Sequence, residues 1–113
     1  MALQRLLAIV IVAGVAAQFF LAGSGAFGAT GYAPHRAVGW ALAIAVLLAF
    51  LVSMVSRRLL RASALLLVAV AVQVVLGSLG TSSSDWFGAF HGLNAVFVGA
   101  LAGNLLRANM TTS

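Results

Sequence analysis

Four long apolar stretches run through the chain: Leu6 to Ala22, Ala37 to Val55, Ala64 to Leu79 and Trp86 to Leu106. Polar residues gather in the short segments between them, at Gly23 to Ala33, Ser56 to Ala62 and Gly80 to Asp85. About 18–20 residues cross a hydrocarbon core of about 30 Å at 1.5 Å per residue, and each stretch approaches or exceeds that length. The pattern predicts helices over 3–22, 34–56, 62–80 and 85–107 in one domain spanning 1–113. The fold class is an all-α integral membrane protein, a four-transmembrane-helix bundle. Pro34 stands where the second helix begins, at the first-turn position where its missing N–H costs nothing. Ser84 or Asp85 is placed to cap the fourth helix. Met110 to Ser113 reads as a frayed polar tail.

Composition supports the same class. Of 113 residues, 64% are apolar, and the charged side chains are six basic and one acidic. A water-soluble domain gives about a quarter of its residues to charge. The net charge of +5 does not point to nucleic acid, because the arginines form no basic face interleaved with aromatics. Arg5, Arg57, Arg58, Arg61 and Arg107 fall in the three regions that four helices bring to one side of a membrane, and only Arg36 and Asp85 belong to the other. Positively charged short loops stay cytoplasmic, so both termini are expected inside. Met1 to Ala17 also has the basic start and apolar run of a secretory signal. The apolar run continues through Phe19, Phe20 and Leu21, which favours a retained first helix.

The segment around Gln18 has a counterpart later in the chain. Gln18-Phe19-Phe20-Leu21-Ala22-Gly23 is matched by Gln73-Val74-Val75-Leu76-Gly77. The glutamines lie 55 residues apart, and the histidines that follow them, His35 and His91, lie 56 apart. Glycines sit four residues before Gln18, four after His35 and four after Gln73. Both hairpins run outward and then inward, so the chain reads as two parallel-repeated helical hairpins about an axis along the membrane normal.

Polar residues within the helices then mark a site. Gln18, Gln73, His91, Asn94 and, at the rim, His35 all fall in the half nearer the external face. Polar groups in hydrocarbon turn toward the bundle interior and toward each other. His91 and Asn94 are three residues apart and share a helix face. Zinc and copper sites usually draw three or four ligands from His, Cys and carboxylates. This chain has no cysteine and one acidic residue, which also excludes iron–sulfur clusters, covalent c-type haem and carboxylate-bridged di-iron. Haem needs only two protein ligands, since the porphyrin supplies the other four nitrogens. His35 and His91 are the candidate ligands; Gly39 and Gly92 would let a flat macrocycle approach the backbone, and Arg36 would pair with propionates.

These residues resemble the halves of the haem A synthase family, membrane enzymes built of two four-helix bundles. There a helix opens with a His-Arg pair, as His35-Arg36 does, a Gln-x-x-Leu-Gly segment closes a helix, as Gln73 to Gly77 does, and a second histidine starts the fourth helix, as His91 does. The chain is similar as well to small bacterial four-helix membrane proteins with the same Gln/His layout. The resemblance implies a haem b with His35 and His91 as axial ligands, in a bacterial cytoplasmic (inner) membrane. This chain supplies one bundle and has no match for the family's acidic residue beside its substrate histidine. The expectation is therefore electron transfer or haem handling rather than haem A synthesis.

Simpler roles compete residue by residue. Arg36 can snorkel to lipid phosphate. Gln18, Gln73 and Asn94 can be interhelical glue, and Gly99 and Gly103 a close-packing or dimerisation pattern. Tyr32, Trp40 and Trp86 suit an interfacial belt. The rival functions are an accessory or assembly subunit of a larger membrane complex and a small transporter without cofactor. Expected partners are the lipid bilayer, haem, a quinone or other redox partner, and further copies of the chain. His35, in the first turn of its helix, and His91, about 9 Å beyond its cap, would need to reach one depth. A topology reporter fused at either terminus should read cytoplasmic, and one inserted within Gly23 to Ala33 should read external. A cytoplasmic reading for that loop overturns the charge argument.

Overall fold

The computed structural model describes residues 2–111. Four helices follow one another: α1 (Ala2–Ala26), α2 (Ala33–Ser56), α3 (Leu60–Ser82) and α4 (Asp85–Thr111). Each is long and apolar enough to cross a membrane. The bundle is 43 Å long, close to the ~40–45 Å of a bilayer with its headgroups. Neighbours in sequence pack side by side, and α4 closes the ring against α1, so α1 faces α3, and α2 faces α4, across the diagonals. The connections at one end lie near the histidines; the other end carries most of the arginines.

Every helix is longer than its apolar stretch. The expected boundaries at 22, 80 and 107 move out to Ala26, Ser82 and Thr111, and α3 begins at Leu60 rather than at 62. Met110 is helical, not part of a frayed tail, and residues 112 and 113 lie outside the described residues. The glycines of Gly23 to Ala33 suggested a loop, yet α1 runs through Gly23 and Gly25. Gly25 is needed in the helix because a Cβ there would stand 3.0 Å from the Tyr32 ring. The helix ends where Gly28 turns left-handed, at φ 76°, and Ala29 N–H closes back onto the Ser24 carbonyl at 2.8 Å. Pro34 does stand in the first turn of α2. Ser84 caps α4, its Oγ accepting from Trp86 N–H at 3.3 Å.

The interior mixes small side chains with branched apolar ones, and the aromatic side chains lie toward the exterior. Ala8, Ala49, Ala102, Ser53 and Ser63 are buried together with Ile11, Val46, Leu66 and Leu105. Phe20, Phe27, Val55 and Trp86 are mostly exposed. Small residues let helix backbones approach, and a large apolar exterior suits a lipid solvent rather than water. Of the Gly99/Gly103 pair, only Gly99 packs on a neighbour, against Val15 and Phe19 of α1.

The sequence pattern alone suggests that polar residues within the helices gather at the histidine end, but they are not confined to it. Gln4, Ser53 and Ser63 are buried at the arginine end. Gln4 Nε2 donates to Ser53 Oγ at 2.9 Å and to the Arg58 carbonyl at 3.0 Å, tying α1 to the α2–α3 connection. Ser53 Oγ in turn donates to the Ala49 carbonyl at 2.8 Å. Arg58 lies between Arg57 and Leu59, both left-handed at φ 58° and 56°. That conformation costs a non-glycine residue about 1–2 kcal/mol, and the Gln4 amide braces the turn that contains it. Gln4→Leu should lower stability by about 1–2 kcal/mol through loss of the two bonds, read as an earlier unfolding midpoint in a denaturing-detergent titration. An unchanged midpoint contradicts the brace.

Candidate functional site

Burial stops at one level of the bundle. Val15, Leu42, Val70 and Val98 form the last buried layer toward the histidine end. Beyond it, Gln18, His35, Val38, Gly39, Gln73, Gly77, His91 and Asn94 are all only partly covered. The polar residues singled out from sequence thus meet in the partly covered layer beyond the buried core.

His35 and His91 come from the diagonal pair, α2 and α4, yet their ring centroids are 6.1 Å apart with planes at 74°. The depth mismatch expected from sequence is absorbed at the α3–α4 connection. α3 runs on to Ser82, Gly80 lies against the Gly88 backbone, and the first turns of α4 stand beyond the level at which α2 begins.

Each imidazole is fixed through the same nitrogen. His35 Nδ1 lies 3.3 Å from the Gln18 carbonyl, and His91 Nδ1 lies 2.9 Å from the Gln73 carbonyl. A carbonyl can only accept, so in each pair Nδ1 carries the proton. A neutral ring then has its lone pair at Nε2. The acceptors are the glutamine backbone carbonyls rather than the side-chain amides.

Gln73 and Asn94 complete the shell around His91. Gln73 Nε2 donates to the His91 carbonyl at 3.0 Å, and Asn94 Nδ2 donates to Gln73 Oε1 at 2.7 Å and to the Ala69 carbonyl at 2.9 Å. Around His35 the shell is thinner. Gln18 Oε1 is buried with no hydrogen-bond partner among the described residues.

Glycines make room for these side chains. A Cβ on Gly39 would stand 2.6 Å from Gln18 Nε2, so the space expected for a macrocycle at Gly39 is taken by this amide. A Cβ on Gly77 would stand 3.0 Å from His91 Cε1 and Nδ1. At Gly92 nothing lies within 4 Å of such a Cβ. Arg36 is exposed, one residue from His35. Tyr32, assigned from sequence to the interfacial belt, stands edge-on to His35 with centroids 6.4 Å apart. Its position three residues before His35 was the available signal. Among the described residues no three His, Cys, Asp or Glu side chains come together, so the donor set here is two imidazoles with amides around them.

Fold and site together define a four-helix bundle with an apolar exterior and a paired-histidine cluster toward one end. The chain belongs to a family of unknown function, DUF6220, which it matches over residues 18–81. The matched stretch holds Gln18, His35, Arg36, Gly39 and Gln73, while His91 and Asn94 lie beyond it. No curated protein and no solved structure matches the chain.

The tautomers can be read directly. At about pH 8, where imidazole is neutral, long-range proton–nitrogen NMR of the ligand-free protein should show both histidines protonated at Nδ1. Gly77→Val should perturb His91 and leave His35 largely unchanged. Nε2 protonation in the unsubstituted protein contradicts the carbonyl ties.

Proposed function

We propose that the chain is a membrane haem b protein in which His35 and His91 are the two axial ligands, near the external face of a bacterial inner membrane. The observation that carries this reading is the histidine pair itself. An imidazole nitrogen binds a first-row metal ion at about 2.0–2.1 Å with the ring centre about 1 Å farther out, so two axial rings stand about 6 Å apart. The rings here are 6.1 Å apart. Their Nδ1 atoms are engaged by carbonyls, which leaves Nε2 to ligate and sets ring orientation, as metal-bound histidines require. The residues at this level are only partly covered, and the donor set suits a group that brings four nitrogens of its own.

A bound haem would supply one-electron chemistry. The chain's own contribution is to hold both imidazoles oriented and at one depth. Two such rings fill both axial positions, which favours electron transfer over oxygen activation. Arg36, exposed beside His35, would meet the propionates. The reading extends to symmetry: α1–α2 and α3–α4 are two copies of one hairpin, and the repeated tie from histidine Nδ1 to a preceding glutamine carbonyl supports it.

An absorption spectrum of protein purified from haem-replete cells tests the proposal. A low-spin, six-coordinate Soret band is expected. It should vanish or change grossly in His91→Ala and His35→Ala and shift only slightly in Asn94→Ala. Arg36→Ala should weaken haem retention a few-fold, the scale of an exposed charge contact, without changing the ligands. A preparation with no Soret absorption removes the proposal and brings the accessory-subunit reading forward.

A further inference from the structure

One face of α4 beside the histidine site is not uniformly apolar. Phe90, Leu93, Asn94 and Phe97 follow at helical spacing and, with Leu76 of α3, line a groove of about 310 Å³. Phe90, Leu93 and Phe97 are 51%, 57% and 59% exposed, so the groove opens to whatever surrounds the bundle. Asn94 is its one polar side chain. Both of its N–H groups are engaged, by the Ala69 carbonyl and by Gln73 Oε1. Its Oδ1 accepts no bond from the described residues and is not among the atoms sealed from the surface.

Hydrocarbon offers no water to that oxygen, and an unpaired amide carbonyl is strongly disfavoured there. Its natural partner is an O–H borne by a molecule that travels in the bilayer. Phe90 and Phe97 stand about 10 Å apart along the helix at 1.5 Å per residue. A ring seated between them meets both at the ~4.5–7 Å centroid spacing of aromatic pairs. No charged side chain lines the groove, so a sugar phosphate or nucleotide finds nothing to recognise it.

We propose that this groove binds a lipid-soluble quinol, its phenolic O–H donating to Asn94 Oδ1, its ring held between Phe90 and Phe97, and its tail leaving along Leu76 and Leu93. The site goes beyond the haem reading: it shares Asn94 with the shell around His91, but its four apolar lining residues belong to no part of the histidine pair.

The test is a titration of the full chain in lipid nanodiscs with a decyl-substituted benzoquinol. Binding is followed by quenching of Trp86, one turn from Phe90, in a Trp40→Phe background. Saturable quenching is expected, weakened about tenfold by Asn94→Leu, the scale of one lost hydrogen bond. Phe97→Ala leaves the amide bonds in place and should also weaken binding several-fold. Unsaturable quenching, or equal affinity in parent and both variants, overturns the proposal. So does equally potent competition by a monoacylglycerol of the same tail length, because the groove would then read a hydroxyl and a chain rather than a ring. Running haem-loaded and haem-free protein side by side separates the two readings. Quinol binding without a Soret band removes only the haem, and a Soret band without quinol binding removes only the groove.

Discussion

A helix carbonyl is normally taken by the N–H four residues farther on. At Gln18 and Gln73 that carbonyl accepts a second donor, an imidazole Nδ1–H from the next helix. The arrangement at this end of the bundle depends on those two ties. They choose the tautomer, aim each ring, and hold side chains from the diagonal helices α2 and α4 close enough for their rings to meet. Without them, an imidazole near the rim could swing to the headgroups, where water would satisfy both nitrogens.

The two ties are not equally supported. Around His91, Asn94 spans from Gln73 to the Ala69 carbonyl, and Gln73 returns a bond to the His91 backbone. If the hairpins are aligned on their histidines, the position of Asn94 is occupied in the first hairpin by Val38. Valine has nothing to donate, and Gln18 Oε1 is left without a partner. His91 therefore sits in the more extensive network, and His35 in one whose glutamine Oε1 is unpaired among the described residues.

Much of this could be read in the sequence, for identifiable reasons. Four apolar runs leave few alternatives to four membrane-length helices, and near-equal Gln-to-His spacings brought the right residues together. Helix ends were less legible. Gly23 and Gly25 look like loop residues, but the Tyr32 ring against Gly25 makes a glycine useful within the helix, and only Gly28 has the left-handed backbone that ends it. Gln4 was missed because it precedes the apolar run and looks like part of a polar terminus. Its burial depends on Ser53 and Arg58, about 50 residues away, and no local pattern shows that.

The Gln4 contact also says something about the order in which the bundle can be built. Each histidine tie spans 17 or 18 residues and lies within one hairpin. It can form as soon as that hairpin has been made. The bonds from Gln4 span 49 and 54 residues, so the pair cannot be complete until the chain has been extended through Arg58. During synthesis the first histidine can be oriented while the opposite end of the same helix pair is still unlatched. The arginine-end latch is thus completed after the first histidine tie, once the turn before α3 has emerged.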